Sequence, residues 1–173
     1  MRKYLIGAFI FSWLALSAQQ GNLERLETDK GFGTTKIGMM LFVEDYQAPD
    51  PTAVKSRYNE FSLLKEKAII GGIQLDNVTV WAHDLIVDRI SMLVAKDDKD
   101  AFLHYAVEQY GNPEMVLDMY VWKSPEITLS FRANPQKSAI NRKGQGLGIF
   151  WRTTDFEHIL ESTMQMQYKS NAK

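Results

Sequence analysis

The stretch VWAHDLIVDR, residues 80–89, sets a histidine, two aspartates and an arginine inside an apolar run. Its reading decides the fold. As strand, Val78, Val80 and Ala82 alternate with the other face, His83-Asp84 forms the turn, and the chain returns through Leu85–Val94. Aspartate suits a turn because its carboxylate bonds nearby backbone N–H groups. Asp88 and Arg89 then point to opposite faces of their strand. A helix over 82–94 is the competitor: it clusters Ala82, Leu85, Ile86, Ile90, Leu93 and Val94 and pairs the carboxylates of Asp84 and Asp88. The β-branched content favours the hairpin.

Working outward, three β-like runs are expected at Ala68–Leu75, Asn77–Ala82 and Leu85–Ala95, with Gly71-Gly72 breaking the first. KDDKD (96–100) then opens a helix whose face is Phe102, Leu103, Ala106, Val107 and Tyr110. Gly111 at a left-handed C′ position and Pro113 close it. Three more strands follow in MVLDMYVW, ITLSFRA and GLGIFW; Ile127, Leu129, Phe131 and Ala133 share one face, and Leu147, Ile149 and Trp151 another. Thr154-Asp-Phe-Glu157 reads as a capping box for a last helix, striped by Phe156, Ile159, Leu160, Thr163, Met164 and Tyr168. Upstream, Ile37, Met39, Leu41 and Val43 alternate as a strand. Asp50-Pro51 starts a helix through Val54, Tyr58 and Phe61. The order β-αβββ-αβββ-α implies one α+β two-layer domain over residues 36–168. It has an antiparallel sheet of about six to seven strands, with about three helices over one face.

The ends carry a different message. Arg2 and Lys3 precede an uncharged, mostly apolar run, Tyr4 to Leu16, and then Ser17-Ala18. That layout predicts a signal peptide over residues 1–18 with cleavage after Ala18; a membrane span needs about 18 or more apolar residues. Residues 19–35 read as a flexible lead-in anchored by Leu23, Leu26 and Phe32, and 169–173 as a disordered tail. With no cysteine, neither a disulfide nor a lipid-modified cysteine is available. The expected product is exported, periplasmic or secreted, without a lipid anchor or transmembrane segment. Removing the leader leaves 18 basic against 21 acidic residues, a net charge of −3. That argues against nucleic acid as a partner.

The helix ending in YGNP, followed by YVW, ITLSF and GLGIFW, resembles many small exported bacterial proteins of uncharacterised function. In these a helix closing on a Tyr/Phe-Gly-x-Pro turn leads into a Trp-bearing three-strand meander. IGGIQLDNVTVWAHDLIVDRI (70–90) is similar to their central hairpin. The element order also resembles the β-lactamase-inhibitor-like and BamE-like envelope folds. That likeness, over roughly residues 31–153, implies protein binding through a sheet face or loops, and implies no catalytic residue or cofactor.

Chemistry-bearing motifs are few. His83, Asp84 and Asp88 could centre a small hydrolase, but a metal site needs three or four converging ligands, and His104 and His158 belong to other elements. There is no G-x-S-x-G or H-E-x-x-H. KDDKD lacks the spaced ligands and glycine of a calcium loop, and GQGLG (144–148) precedes a strand rather than a helix. Asn77-Val-Thr79 is a glycosylation sequon, meaningful only in a eukaryotic secretory route. One asymmetry stands out. Between Glu126 and Asp155 there is no acid, yet Arg132, Lys137, Arg142, Lys143 and Arg152 are present, around a long polar loop over 134–146. These five are the candidate contact for an acidic protein or an anionic envelope component. The reading that follows is a non-enzymatic binding protein using this hairpin and one sheet face. The alternatives are the hydrolase at His83/Asp84 and a binder of small hydrophobic ligands between sheet and helices.

Overall fold

The computed structural model describes residues 23–42, 44, 46–47, 59–135 and 144–171. The expected signal peptide lies outside the described residues, as do Val43, Val54, Tyr58, Lys137, Arg142 and Lys143. Among the described residues the fold is α+β, with three helices, an eight-stranded antiparallel sheet and two small two-stranded sheets.

The hairpin reading of 80–89 holds. Strands β7 (Asn77–His83) and β8 (Ile86–Val94) pair antiparallel, closed by a turn at Asp84-Leu85 rather than His83-Asp84. Both turn residues take positive φ, 49° and 64°, as a twist-matched two-residue turn requires. β8 holds the middle of the sheet. β12 (Gly146–Arg152) bonds its other edge from Arg89 to Val94. Beyond Arg89 the segment 38–41 takes over, with Gly38 N–H donating to Val87 O and Leu41 N–H to Leu85 O, each at 2.7 Å. The strand expected at 37–43 is thus only a bridge, Met40 to Ile86. Ile37 and Leu41 are buried there, whereas Met39 is exposed.

The remaining strands of the large sheet are β3 (Tyr46–Gln47), β4 (Asn59–Leu63), β9 (Glu114–Val116), β10 (Met119–Lys123) and β11 (Ile127–Arg132). The order is β3-β4-β7-β8-β12-β11-β10-β9. Three expectations change. Phe61 sits in strand β4, paired with Val80, not on a helix. MVLDMYVW is two strands, split at Leu117-Asp118, where Leu117 adopts φ 57°. The run at 68–75 is a separate hairpin, β5 (Ile69–Ile70) with β6 (Ile73–Gln74).

Helix α2 (Lys99–Tyr110) forms as expected after a 3-10 turn at Lys96–Asp98, and Gly111 ends it with φ 82°. Asp98 makes no side-chain capping bond. Phe102, Ala106 and Tyr110 face the core, and Trp122 Nε1 donates to Gly111 O at 2.7 Å, fixing the helix end to β10. The sheet under α2 is shaped by two glycines. A Cβ on Gly146 would lie 2.7 Å from the Phe131 ring, and one on Gly148 3.0 Å from Met92 Cε. Phe102 and Phe131 therefore meet at a 4.7 Å centroid distance over a smooth strand. Phe150, Ile90, Met92 and Leu129 complete this dry layer.

The first helix, α1, lies at 23–29, inside the expected lead-in. It is followed by a hairpin of β1 (Gly31–Phe32) and β2 (Thr35–Lys36), and together they bury Leu26 and Phe32. Their fit is close: a Cβ on Gly31 would come 2.7 Å from Ile90 Cδ1. α3 (Thr153–Asn171) is the other departure, because it crosses the opposite face of the sheet. Alternation along β12 puts Phe150 in the core and turns Leu147, Ile149 and Trp151 outward, under α3. Trp151 is therefore only half-buried. α3 is anchored at its start by a buried hydroxyl chain: Thr153 Oγ1 donates to Ser124 O at 2.9 Å and lies 3.0 Å from Thr128 Oγ1. The carboxylate of Glu157, expected in a capping box, instead pairs with Lys123.

Two measurements check this packing. Gly71 has φ 55°, and a Cβ there would sit 2.2 Å from the Tyr105 ring on α2. Gly71→Ala is expected to cost about 1–3 kcal/mol in urea unfolding, from overpacking and positive φ. Burial first, then the neighbouring Tyr105 and Asp29, raises the Tyr110 phenol above its ordinary value. The unfolded chain ionises near pH ~10 while the folded chain keeps the proton, so stability falls as pH rises past that value. Tyr110→Phe should flatten the fall between pH ~10 and the folded value, read from urea midpoints.

Candidate functional site

Among the described residues, the sheet face that carries α3 is covered only at one side. Across the uncovered part, three residues stand abreast on adjacent strands: Trp81 on β7 pairs with Arg89 on β8, and Arg89 pairs with Trp151 on β12. The Arg89 guanidinium lies 4.4 Å from the Trp81 ring centroid and 5.3 Å from that of Trp151. Arginine stacks on both indoles because its planar, weakly hydrated cation meets the negative ring faces. Trp151 is itself fixed, its Nε1 donating to Ser130 Oγ at 2.9 Å and its ring tilted against Phe156.

A β-bulge builds this arrangement. Trp81 pairs with Arg89, yet Ala82 pairs with Val87, so Asp88 is the extra residue on β8. Val87 and Ile90 both enter the core, leaving two successive residues, Asp88 and Arg89, on the outer side. This corrects the expectation that they face opposite ways: both line one groove of about 250 Å³, with Trp81, Trp151, Asp155 and Ile159. The Asp88 carboxylate meets Arg152 Nη2 at 3.2 Å. A wider groove of about 380 Å³ adjoins it over the bare strands, lined by Glu60, Asn77, Thr79, Ser91 and Leu93 beside Trp81 and Arg89. Asn77 Nδ2 donates to Thr79 Oγ1 at 3.0 Å, so the groove wall is an ordered polar edge next to an aromatic-cationic centre.

Of the five cations of the 126–155 stretch, Arg132 and Arg152 lie among the described residues, and these two stand apart. In the ladder Arg132 pairs with Leu147 and Arg152 with Ile127, five steps apart or about 17 Å. Arg132 Nη2 lies 2.8 Å from Asp118 Oδ1, and Arg152 is held by Asp88. Lys137, Arg142 and Lys143 lie outside the described residues. His83 and Asp84 are together at the tip of the β7–β8 hairpin, Nδ1 to Oδ2 3.4 Å, both exposed and outside these grooves. His104 pairs with Glu108 on the outer side of α2, and His158 is on α3. Among the described residues no three His, Asp or Glu side chains gather as a metal site would need. Trp81 is the residue that sequence reasoning passed over; the only local signal for it was the polar pair inside Val87-Asp-Arg-Ile90.

No protein-family model, curated protein or solved structure matches the chain. Among the described residues, no helix is long and apolar enough to cross a membrane.

Arg89→Met keeps the stem and removes the cation. It is expected to lower stability by about 1–2 kcal/mol and to change tryptophan emission, with Arg89→Lys in between, because a compact ammonium stacks less well. Equal stability of all three proteins would remove the stack as an organising interaction.

Proposed function

We propose that this chain is an exported, non-enzymatic protein that binds another protein in the cell envelope or outside the cell, through the open sheet face. The observation that carries the reading is the in-register Trp81–Arg89–Trp151 row on the uncovered side of the sheet. Tryptophan and arginine are the residues that most often dominate interface energy, because a large rigid surface meets directional charge at little entropic cost. Around them Glu60, Asn77, Ser91 and Asp155 supply a polar rim. Export rests on the Arg2-Lys3, apolar run and Ala18 pattern alone. The cations Lys137, Arg142 and Lys143 add an electrostatic contribution that speeds encounter and weakens with salt.

A C-terminally tagged full-length chain, expressed in a bacterium, should yield an extracytoplasmic product whose N-terminal sequence begins at Gln19. That product, passed over immobilised envelope and secreted-protein fractions, should retain a specific species. Trp81→Ala should weaken retention at least tenfold, whereas His83→Ala should leave it unchanged. Retention that survives Trp81→Ala, or none at all, would overturn the interface; loss with His83→Ala would move attention to the hairpin tip.

A further inference from the structure

Beneath α3 the second face of the sheet is not filled. A slot of about 200 Å³ runs between the helix and strands β10 to β12. Its walls are almost wholly apolar, with Met119, Leu147, Ile149 and Trp151 below and Phe156 and Leu160 above. α3 is fixed to the sheet at its N-terminal end, where the Thr153 hydroxyl chain holds it. Further along, Ile159 and Met164 stay about half exposed although both belong to the apolar stripe of the helix. A close-packed interior leaves few voids larger than a water molecule, so a slot this size beside a half-used apolar stripe is a departure from ordinary packing. An apolar cavity of about 150 Å³ already takes up a six-carbon ring.

One charged group enters the same slot. Arg132, at the end of β11, lines it and places Nη2 on Asp118, which leaves further donors of the five-donor guanidinium fork. Its Nε is buried and, among the described residues, has no hydrogen-bond partner. A desolvated donor on an arginine is costly, and an anion that reached this edge would offset that cost. Trp151 and Ile159 continue the slot into the groove at Asp88 and Arg89, so a chain longer than six carbons has somewhere to extend. The pattern is that of a small-molecule site: mostly apolar walls with one charged group that sets orientation, beside the hydroxyls of Ser130 and Thr163.

We propose that the slot under α3 binds an anionic amphiphile, an unbranched acyl chain lying between helix and sheet with its carboxylate on Arg132. Trp151 borders both this slot and the proposed interface, but Trp81 does not line the slot, which is tested by its own variants.

The test uses the full chain without its leader and three probes below their micelle concentrations: hexanoate, decanoate and decanol. Decanoate should bind with a saturating calorimetric isotherm and raise the thermal midpoint. Affinity should rise about fourfold per added methylene from hexanoate until the slot is full. Decanol should bind at least tenfold more weakly than decanoate, and Arg132→Gln should bring the acid down to the alcohol. Thr163→Phe, which fills the slot from the helix side, should abolish binding of both while the circular dichroism spectrum stays that of the wild type. No saturable decanoate binding, equal affinity for acid and alcohol in the wild type, or unaltered binding in a folded Thr163→Phe would each overturn the proposal. Loss of decanoate binding together with intact partner retention, or the reverse, separates this failure from failure of the interface.

Discussion

The bulge at Asp88 is the constraint on which the rest of the outer face depends. A strand bonded on both edges has a strict period of two, and a one-residue slip reverses every side chain beyond it. β8 needs Ile90, Met92 and Val94 inward at one end and Val87 inward at the other. Those demands are out of phase. One extra residue reconciles them, at the level where β12 gives way to the segment 38–41 as the neighbouring strand. The change of partner and the change of phase coincide, and the outer face gains two adjacent polar residues where a regular strand would offer one.

The inner face answers to a different requirement, close approach. α2 can lie low on the sheet because Gly146 and Gly148 present no side chain where Phe131, Phe102 and Met92 converge. The same alternation turns Leu147 and Ile149 outward, so from Gly146 to Ile149 β12 is bare on one side and apolar on the other. An apolar outer side has to be covered, and α3 covers part of it. The position of α3 on the second face, rather than beside α2, follows from the composition of this one strand. The partial cover leaves both the slot under the helix and the open row beside it.

Much of the fold was legible because its strongest signals are local. The β7–β8 hairpin, α2 with its Gly111-Asn-Pro113 end, and strands β11 and β12 each follow from spacing within a few residues. What escaped reading has physical causes. The Leu117-Asp118 turn places a leucine at φ 57°, so the usual glycine or asparagine marker of a turn is missing. Phe61 fits helical spacing, but its strand is specified by pairing with Val80, which periodicity does not encode. Leu23, Leu26 and Phe32 looked like sparse anchors in a polar lead-in; Leu26 and Phe32 are buried because Gly31 lets that segment settle on Ile90. Of the candidate site, Arg89 and Trp151 were visible as residues, whereas their meeting with Trp81 depends on strand order and on the bulge.

Charge illustrates what a linear count leaves out on a sheet. Five cations without an intervening acid look like one basic surface when read along the chain. In three dimensions Arg132 and Arg152 stand at opposite ends of the β11–β12 ladder, and each already faces a carboxylate, Asp118 or Asp88. Half-exposed pairs of this kind add little stability, about 0–1 kcal/mol each. Their effect is on geometry: Asp118 ties the β9–β10 turn to the end of β11, and Asp88 ties the bulge to the end of β12, just ahead of α3. Both arginines thereby border the second face rather than cross it, and among the described residues its centre carries Arg89 between two indoles. Oriented aromatic surface at the centre with paired charge at the rim is an arrangement that would favour shape and stacking over electrostatics in a contact made there.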